Sequence, residues 1–127
     1  MYVLAVTGSY REGGINDTYI REVLRGAESW GARTDKIVLA RRRINYCLNC
    51  RACAQGGGCE PGRCVQDDDM AAIIGQCLEA DALVLSAPVN FGAATAVLKA
   101  FLERLSPLAH MPWGSYLPRP RLTTRRR

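Results

Sequence analysis

Val3-Leu4-Ala5-Val6-Thr7-Gly8-Ser9-Tyr10-Arg11-Glu12-Gly13-Gly14 opens the chain and decides how the rest is read. A short aliphatic run that ends at Gly-Ser predicts a buried central strand of a parallel sheet. Two adjacent glycines lie in the loop after it, and Ile15-Asn16-Asp17-Thr18 then starts a helical pattern with cap-type side chains. Strand, small-residue loop and helix N-terminus form a geometry that receives a phosphate. The glycines let the backbone approach the anion, and the first-turn N–H groups point at it. Ser9 and Thr18 can add hydroxyl donors and Arg11 a positive fork. The loop is neither G-x-G-x-x-G nor the Gly-Lys-Ser/Thr triphosphate loop, and a plain turn at Gly13-Gly14 is the competing reading.

Working outward, residues 16–30 carry a helical stripe of Tyr19, Ile20, Val23, Leu24, Ala27 and Trp30, preceded by Ile15. Gly31 is the stop signal. Ile37-Val38-Leu39 centres a second strand. The run Arg41-Arg42-Arg43 after it reads as a solvated strand end, with a contact to the NADPH phosphate as the sharper alternative. Asp67-Asp68-Asp69 sits favourably at the start of a helix over 69–79, which makes capping the first reading and metal binding the second. Met70, Ile73, Ile74, Cys77 and Leu78 form that helix's buried stripe, with Cys77 as a small core hydrophobe. Ala82-Leu83-Val84-Leu85-Ser86 is a third strand, followed by the loop 87–92. A helix over 94–105 places Val97, Leu98, Phe101, Leu102 and Leu105 inward and Lys99, Glu103 and Arg104 outward. Beyond Pro107, prolines at 112, 118 and 120 break any periodicity, and the single histidine, His110, has no evident nucleophile beside it.

Strands alternating with helices predict an α/β fold, a doubly wound parallel sheet in a three-layer α/β/α sandwich. In the strand order 2-1-3, the first and third strands are neighbours. Loops 8–16 and 87–92 then converge on one crevice at the C-terminal strand ends, where such sheets bind ligands.

The 127 residues suit one domain, with 48% hydrophobic and 23% charged content. The chain shows no bilayer-spanning run and no secretory pattern, so a cytoplasmic protein is expected, without a membrane partner. The net charge of +5 resides in the tail, where Arg119, Arg121, Arg125, Arg126 and Arg127 fall in the last nine residues; the remainder holds 12 basic and 12 acidic residues. Without aromatic residues interleaved among the basic ones, the tail reads as a solvated end, not a nucleic-acid surface. Six cysteines in a reducing compartment point to metal or redox chemistry, not disulfides. Cys47, Cys50 and Cys53 follow C-x-x-C-x-x-C in a Gly- and Cys-rich loop over 46–64. That spacing suits a [4Fe–4S] cluster whose fourth ligand is a later cysteine, Cys59 or Cys64. A structural Zn²⁺ and metal-free thiols are the competing readings; zinc lacks a second, separate C-x-x-C knuckle.

Taken together, Gly8-Ser9-Tyr10-Arg11 with Gly13-Gly14, Cys47-x-x-Cys50-x-x-Cys53, Cys64-Val65-Gln66-Asp67-Asp68-Asp69-Met70 and Ala87-Pro88-Val89-Asn90-Phe91-Gly92 followed by Leu98-Lys99-Ala100-Phe101-Leu102-Glu103-Arg104 resemble the flavodoxin-like NAD(P)H-dependent FMN reductases, in particular the iron–sulfur flavoproteins. The resemblance covers residues 1–106 and makes them an FMN-binding domain, with 107–127 a Pro/Arg-rich tail. It implies that Ser9, Arg11, Gly13, Gly14, Ile15 and Asn16 surround the FMN phosphate and that Pro88, Val89, Asn90, Phe91 and Gly92 border the isoalloxazine ring. Where the family carries Tyr this chain carries Asn90, which leaves stacking to Phe91. The family's compact C-x-x-C-x-x-C-x5-C spacing favours Cys59 as fourth cluster ligand, while Cys64 matches the position before the acidic run. The implied activity is hydride transfer from NAD(P)H to bound FMN and on to an acceptor that the sequence does not identify. No side chain need act as acid or base. A homo-oligomer, dimer or tetramer, is expected. Family members continue through two further strands, so this chain reads as a truncated product or as a half-site completed by another chain. The alternatives are a small flavin or iron–sulfur electron carrier without NAD(P)H turnover, and an inactive fragment.

Overall fold

The computed structural model describes residues 1–55, 63–112, 114 and 117–120. Its centre is a parallel three-stranded sheet of β1 (Tyr2–Thr7), β2 (Arg33–Val38) and β3 (Ala82–Ser86), in the order β2-β1-β3. This is the doubly wound arrangement expected from the apolar runs. All six residues of β1 are buried, as a strand with neighbours on both edges and cover on both faces must be. In register, Val6 faces Ile37 on one side and Leu85 on the other, so the three strands end together at Thr7, Val38 and Ser86.

Three helices pack on this sheet: α1 (Ile15–Ser29), α3 (Met70–Glu79) and α4 (Ala96–Glu103). Leu4, Val6, Ile37, Leu39, Met70, Ile73, Leu98 and Phe101 form one buried cluster beneath α3 and α4. Burial of these side chains is the main favourable term holding the layers together. Cys77 belongs to the same cluster, and burial pushes its thiol pKa up, in keeping with a core role.

The α1 stripe departs from expectation. Only Ile20 is buried, while Ile15, Tyr19, Val23 and Trp30 are exposed. Leu83 and Leu85 of the edge strand β3 are exposed too, in register with Leu4 and Val6 on the face that α3 and α4 cover. Arg104 departs in the opposite direction. Expected on the solvated face of α4, it is 2% exposed.

Several short elements lie where the apolar periodicity is silent. A single turn, α2 (Ala52–Gln55), forms inside the cysteine loop. A hairpin of β4 (Val89–Asn90) and β5 (Ala93–Ala94) forms in the loop after β3. Past a 3₁₀ turn over Ser106–Leu108, β6 (Ala109–His110) pairs with β7 (Arg119–Pro120), and His110 lies half-buried there. Among the described residues no helix is long and apolar enough to cross a membrane.

Candidate functional site

The crevice at the C-terminal end of the sheet is built by backbone proximity. Gly8 follows β1 directly, and its N–H donates to the Ser86 carbonyl at 2.8 Å, so the ends of β1 and β3 are joined. Thr95, the N-cap of α4 and 1% exposed, donates from Oγ1 to the Gly8 carbonyl at 2.8 Å. A Cβ on Gly8 would stand 2.6 Å from Thr95 Oγ1 and 2.8 Å from Leu98 Cβ. Glycine is therefore required here by the close approach of α4.

From this junction the loop turns outward. The Arg11 N–H donates to Ser9 Oγ at 3.2 Å, and Ser9 Oγ donates to the Arg11 carbonyl at 3.0 Å. Gly13, at φ +67°, donates its N–H to Asp17 Oδ2 at 2.7 Å, which bends the chain into α1. Gly14 is the N-cap and supplies no side-chain acceptor, so the first-turn N–H groups of α1 stay available to an anion. Ser86 Oγ donates to Asn16 Oδ1 at 3.1 Å and fastens the start of α1 to β3.

The result is a pocket of about 430 Å³. Ser9, Arg11, Gly14, Ile15 and Asn16 line it from the first loop, and Pro88 and Asn90 from the second. The two loops thus meet as the strand order required. None of the lining residues is acidic, and a hydroxyl, a guanidinium and open N–H groups suit an anionic group. Tyr10 is also in the wall; its hydroxyl accepts the Val97 N–H at 3.3 Å. A lone exposed aromatic such as Tyr10 carries no signal in the sequence for such a place. Thr95 had a signal, a cap residue before an apolar helix.

Gly13, Val89, Phe91 and Gly92 do not line this pocket. Thr18 is exposed and is not in its wall either. Phe91 and Gly92 are the tip of the β4–β5 hairpin at φ +49° and +75°. Both central residues of a type I′ turn are left-handed, and Phe there is strained. Its ring is fully exposed. Arg41 pairs with Glu12 beside the first loop, while Arg43 is tied to the Asp67 carbonyl at 3.0 Å.

The cysteine loop forms a second site. Its two ends run side by side. Asp69 N–H donates to the Arg43 carbonyl at 3.0 Å, Arg43 N–H to Asp69 Oδ2 at 2.8 Å, and Gln66 Nε2 to the Tyr46 carbonyl at 2.9 Å. Asp68 caps Met70 through Oδ1 at 3.1 Å and accepts the Asn45 N–H through Oδ2 at 2.9 Å. The acidic run therefore closes the loop as well as starting α3. Burial alone would raise the Asp68 carboxyl, but donors from Arg104, Asn45 and Met70 reverse this and hold its pKa below the ordinary value.

Beyond this neck, Cys47, Cys50, Cys53 and Cys64 line one cavity of about 440 Å³. Asn49 and Arg51, on either side of Cys50, both have left-handed backbone, at φ +50° and +58°. The Cys53 thiol is pushed up by burial first and then by its cysteine neighbours, Cys64 foremost. Cysteine sulfur is the donor type of an iron–sulfur cluster or a soft metal. Among the described residues no group of three His, Cys, Asp or Glu is drawn together closely enough to hold a metal ion. Cys59 lies outside the described residues.

Residues 1–116 match the family model described as NADPH-dependent FMN reductase. An iron–sulfur flavoprotein of Methanocaldococcus jannaschii is 35% identical over 108 residues, 85% of this chain and 53% of that protein. One from Archaeoglobus fulgidus is 32% identical over 112 residues, 88% of this chain and 49% of that protein. The chain spans about half the length of the curated relatives it matches. A solved flavone reductase superposes with a TM-score of 0.63 at 26% identity, over 84% of this chain and 30% of that one. RosB, solved with a bound 8-demethyl-8-formylriboflavin-5'-phosphate intermediate, superposes with a TM-score of 0.61 at 17% identity, over 83% of this chain and 42% of that one, and shares the fold.

Proposed function

Since the chain belongs to the NADPH-dependent FMN reductase family, we propose that it is an FMN-dependent oxidoreductase that takes hydride from NAD(P)H and passes electrons to an acceptor. The observation that carries this reading is the pocket in which Ser9, Arg11, Gly14, Ile15 and Asn16 face Pro88 and Asn90, with no acidic side chain in its wall. When bound there, FMN would supply hydride acceptance and one- or two-electron release.

The chain's own residues hold and orient. Arg11 and Ser9, with the N–H groups that open α1, are assigned to the phosphate. Gly13 carries the turn that sets those N–H groups in place. Pro88, Val89, Asn90, Phe91 and Gly92 are assigned to the ring edge, where backbone N–H groups and the Asn90 amide can hydrogen-bond ring heteroatoms. No side chain is asked to move a proton. The cysteine cavity supports a second redox centre: Cys47, Cys50 and Cys53, with Cys59 or Cys64, would hold a [4Fe–4S] cluster and release electrons singly.

The test is an ultraviolet–visible spectrum of the chain purified without oxygen, taken after excess FMN and desalting and again after NADPH or NADH. A retained flavin band that bleaches with either nucleotide is the expected result. Retained flavin that neither nucleotide reduces would make the chain an electron carrier. A colourless protein would overturn the assignment. A broad shoulder beside the flavin band, lost in Cys50→Ser, is expected if the cluster forms.

A further inference from the structure

The open edge of the sheet is apolar on both of its faces. Among the described residues β3 pairs with β1 alone, so one row of its backbone N–H and C=O groups has no strand beside it. Its sequence, Ala82-Leu83-Val84-Leu85-Ser86, holds no charge and no proline, and its register with β1 runs without a bulge. Charge, proline and bulges are the usual devices that keep an edge strand from pairing with another chain. Leu4 and Val6 are 0% exposed, yet Leu83 and Leu85, in register with them, are 44% and 47% exposed. The cover from α3 and α4 therefore stops short of the edge.

The opposite face belongs to α1, and two contacts orient that helix. Asn16 meets Ser86 of β3 at 3.1 Å, and Asp17 pairs with Lys36 of β2 at 3.7 Å. At 3.6 residues per turn, Tyr19, Val23, Gly26 and Trp30 then fall on the β3 flank of α1, while Asp17, Arg21 and Glu28 fall away from it. Tyr19, Val23 and Trp30 are all exposed. Apolar side chains from two elements, one on each face of the sheet, thus border the same unpaired strand.

We propose that β3 is the interface of a symmetric dimer, in which the edge strands of two copies of this chain pair antiparallel about a two-fold axis at Val84. That axis sets Leu83 opposite Leu85 of the second copy and Ala82 opposite its Ser86, and it joins two three-stranded sheets into one of six. On the other face it turns the uncharged flank of α1 toward the same flank of the second copy. A second copy is the occupant because the contact is isologous. Such a contact sets a patch against itself, which a net charge would oppose and this uncharged patch allows. Aromatic side chains bury about 150–250 Å² each. Tyr19 and Trp30, with the strand and its leucines, therefore approach the roughly 800 Å² per partner of a stable interface.

The experiment is light scattering of the full chain as it leaves a sizing column. Twice the chain mass is expected for the wild type. Leu85→Lys and Leu83→Glu each set a charge against a leucine of the second copy, and each alone is expected to give the single mass with an unchanged circular dichroism spectrum. Mixed in equal amounts, the two variants are expected to recover the double mass, because in this register the introduced charges face each other. Where a strand variant loses its spectrum, Tyr19→Glu tests the contact from the helix side and is expected to weaken dimerisation about tenfold. A wild-type chain of single mass would overturn the inference and leave the edge to a different partner. A dimer that these variants leave intact, or single variants that stay monomeric when mixed, would overturn the antiparallel β3 pairing.

Discussion

The two candidate sites are built on opposite principles. The pocket between loops 8–16 and 87–92 is a backbone construction: Gly8 lies against Thr95 and Leu98, and Ser86 holds Asn16. The cysteine cavity is a side-chain construction, closed by one buried ion pair between Arg104 and Asp68 with Asn45 and Met70 joined to it. The first inherits its shape from the ends of parallel strands, as doubly wound sheets do. The second hangs from the sheet on a clasp, and its geometry depends on a pair of charges far from water.

Breaking the clasp is the most damaging change. Arg104→Ala leaves the Asp68 carboxylate buried without its cation and is expected to lower unfolding free energy by about 3–5 kcal/mol. Urea denaturation checks it, and a loss below about 1 kcal/mol would show that the pair is not structural. The backbone site has its own point of failure. Gly8→Ala sets a methyl 2.6 Å from Thr95 Oγ1, and a loss of about 1–3 kcal/mol is expected from the displaced α4. FMN retention should fall with it, whereas Arg104→Ala should weaken the cysteine site first.

Acid separates the two regions without mutation. Because the folded Asp68 pKa lies below its unfolded value, its contribution to stability is complete above the ordinary carboxylate range. It is lost as pH falls through the lowered folded value. Stability measured from neutral pH downward should therefore hold and then drop in strong acid, and Asp68→Asn with Arg104→Met should flatten that drop. The smallest effect belongs to the hairpin tip. Phe91→Asn relieves a left-handed position and should stabilise by about 1 kcal/mol. If Phe91 meets the ring, the same change weakens FMN binding, as strain kept for function would.

How far the chain could be read without coordinates follows the same division. Val3–Val6 and Leu83–Leu85 are uninterrupted apolar runs, and a parallel sheet is what such runs make. From the strand order the meeting of Ser9, Arg11 and Asn16 with Pro88 and Asn90 follows by topology. Arg104 was hidden because a charged residue beside Glu103 reads as the solvated face of a helix. Only Asp68, 36 residues away, explains its burial. Likewise, Tyr19 and Val23 carry a helical apolar period, yet both are exposed. The β4–β5 hairpin was missed because its strands are two residues long and Phe91 is a poor residue for its turn.

The central claim is that the first loop is a phosphate cradle for FMN, and comparing FMN with riboflavin by fluorescence titration tests it most directly. The two ligands differ only in the phosphate. FMN should bind at least about tenfold more tightly, as charge-assisted hydrogen bonds of about 1.5–3 kcal/mol require. Arg11→Ala should close most of that gap. Equal affinity for the two ligands, or a gap that Arg11→Ala leaves intact, would contradict the account.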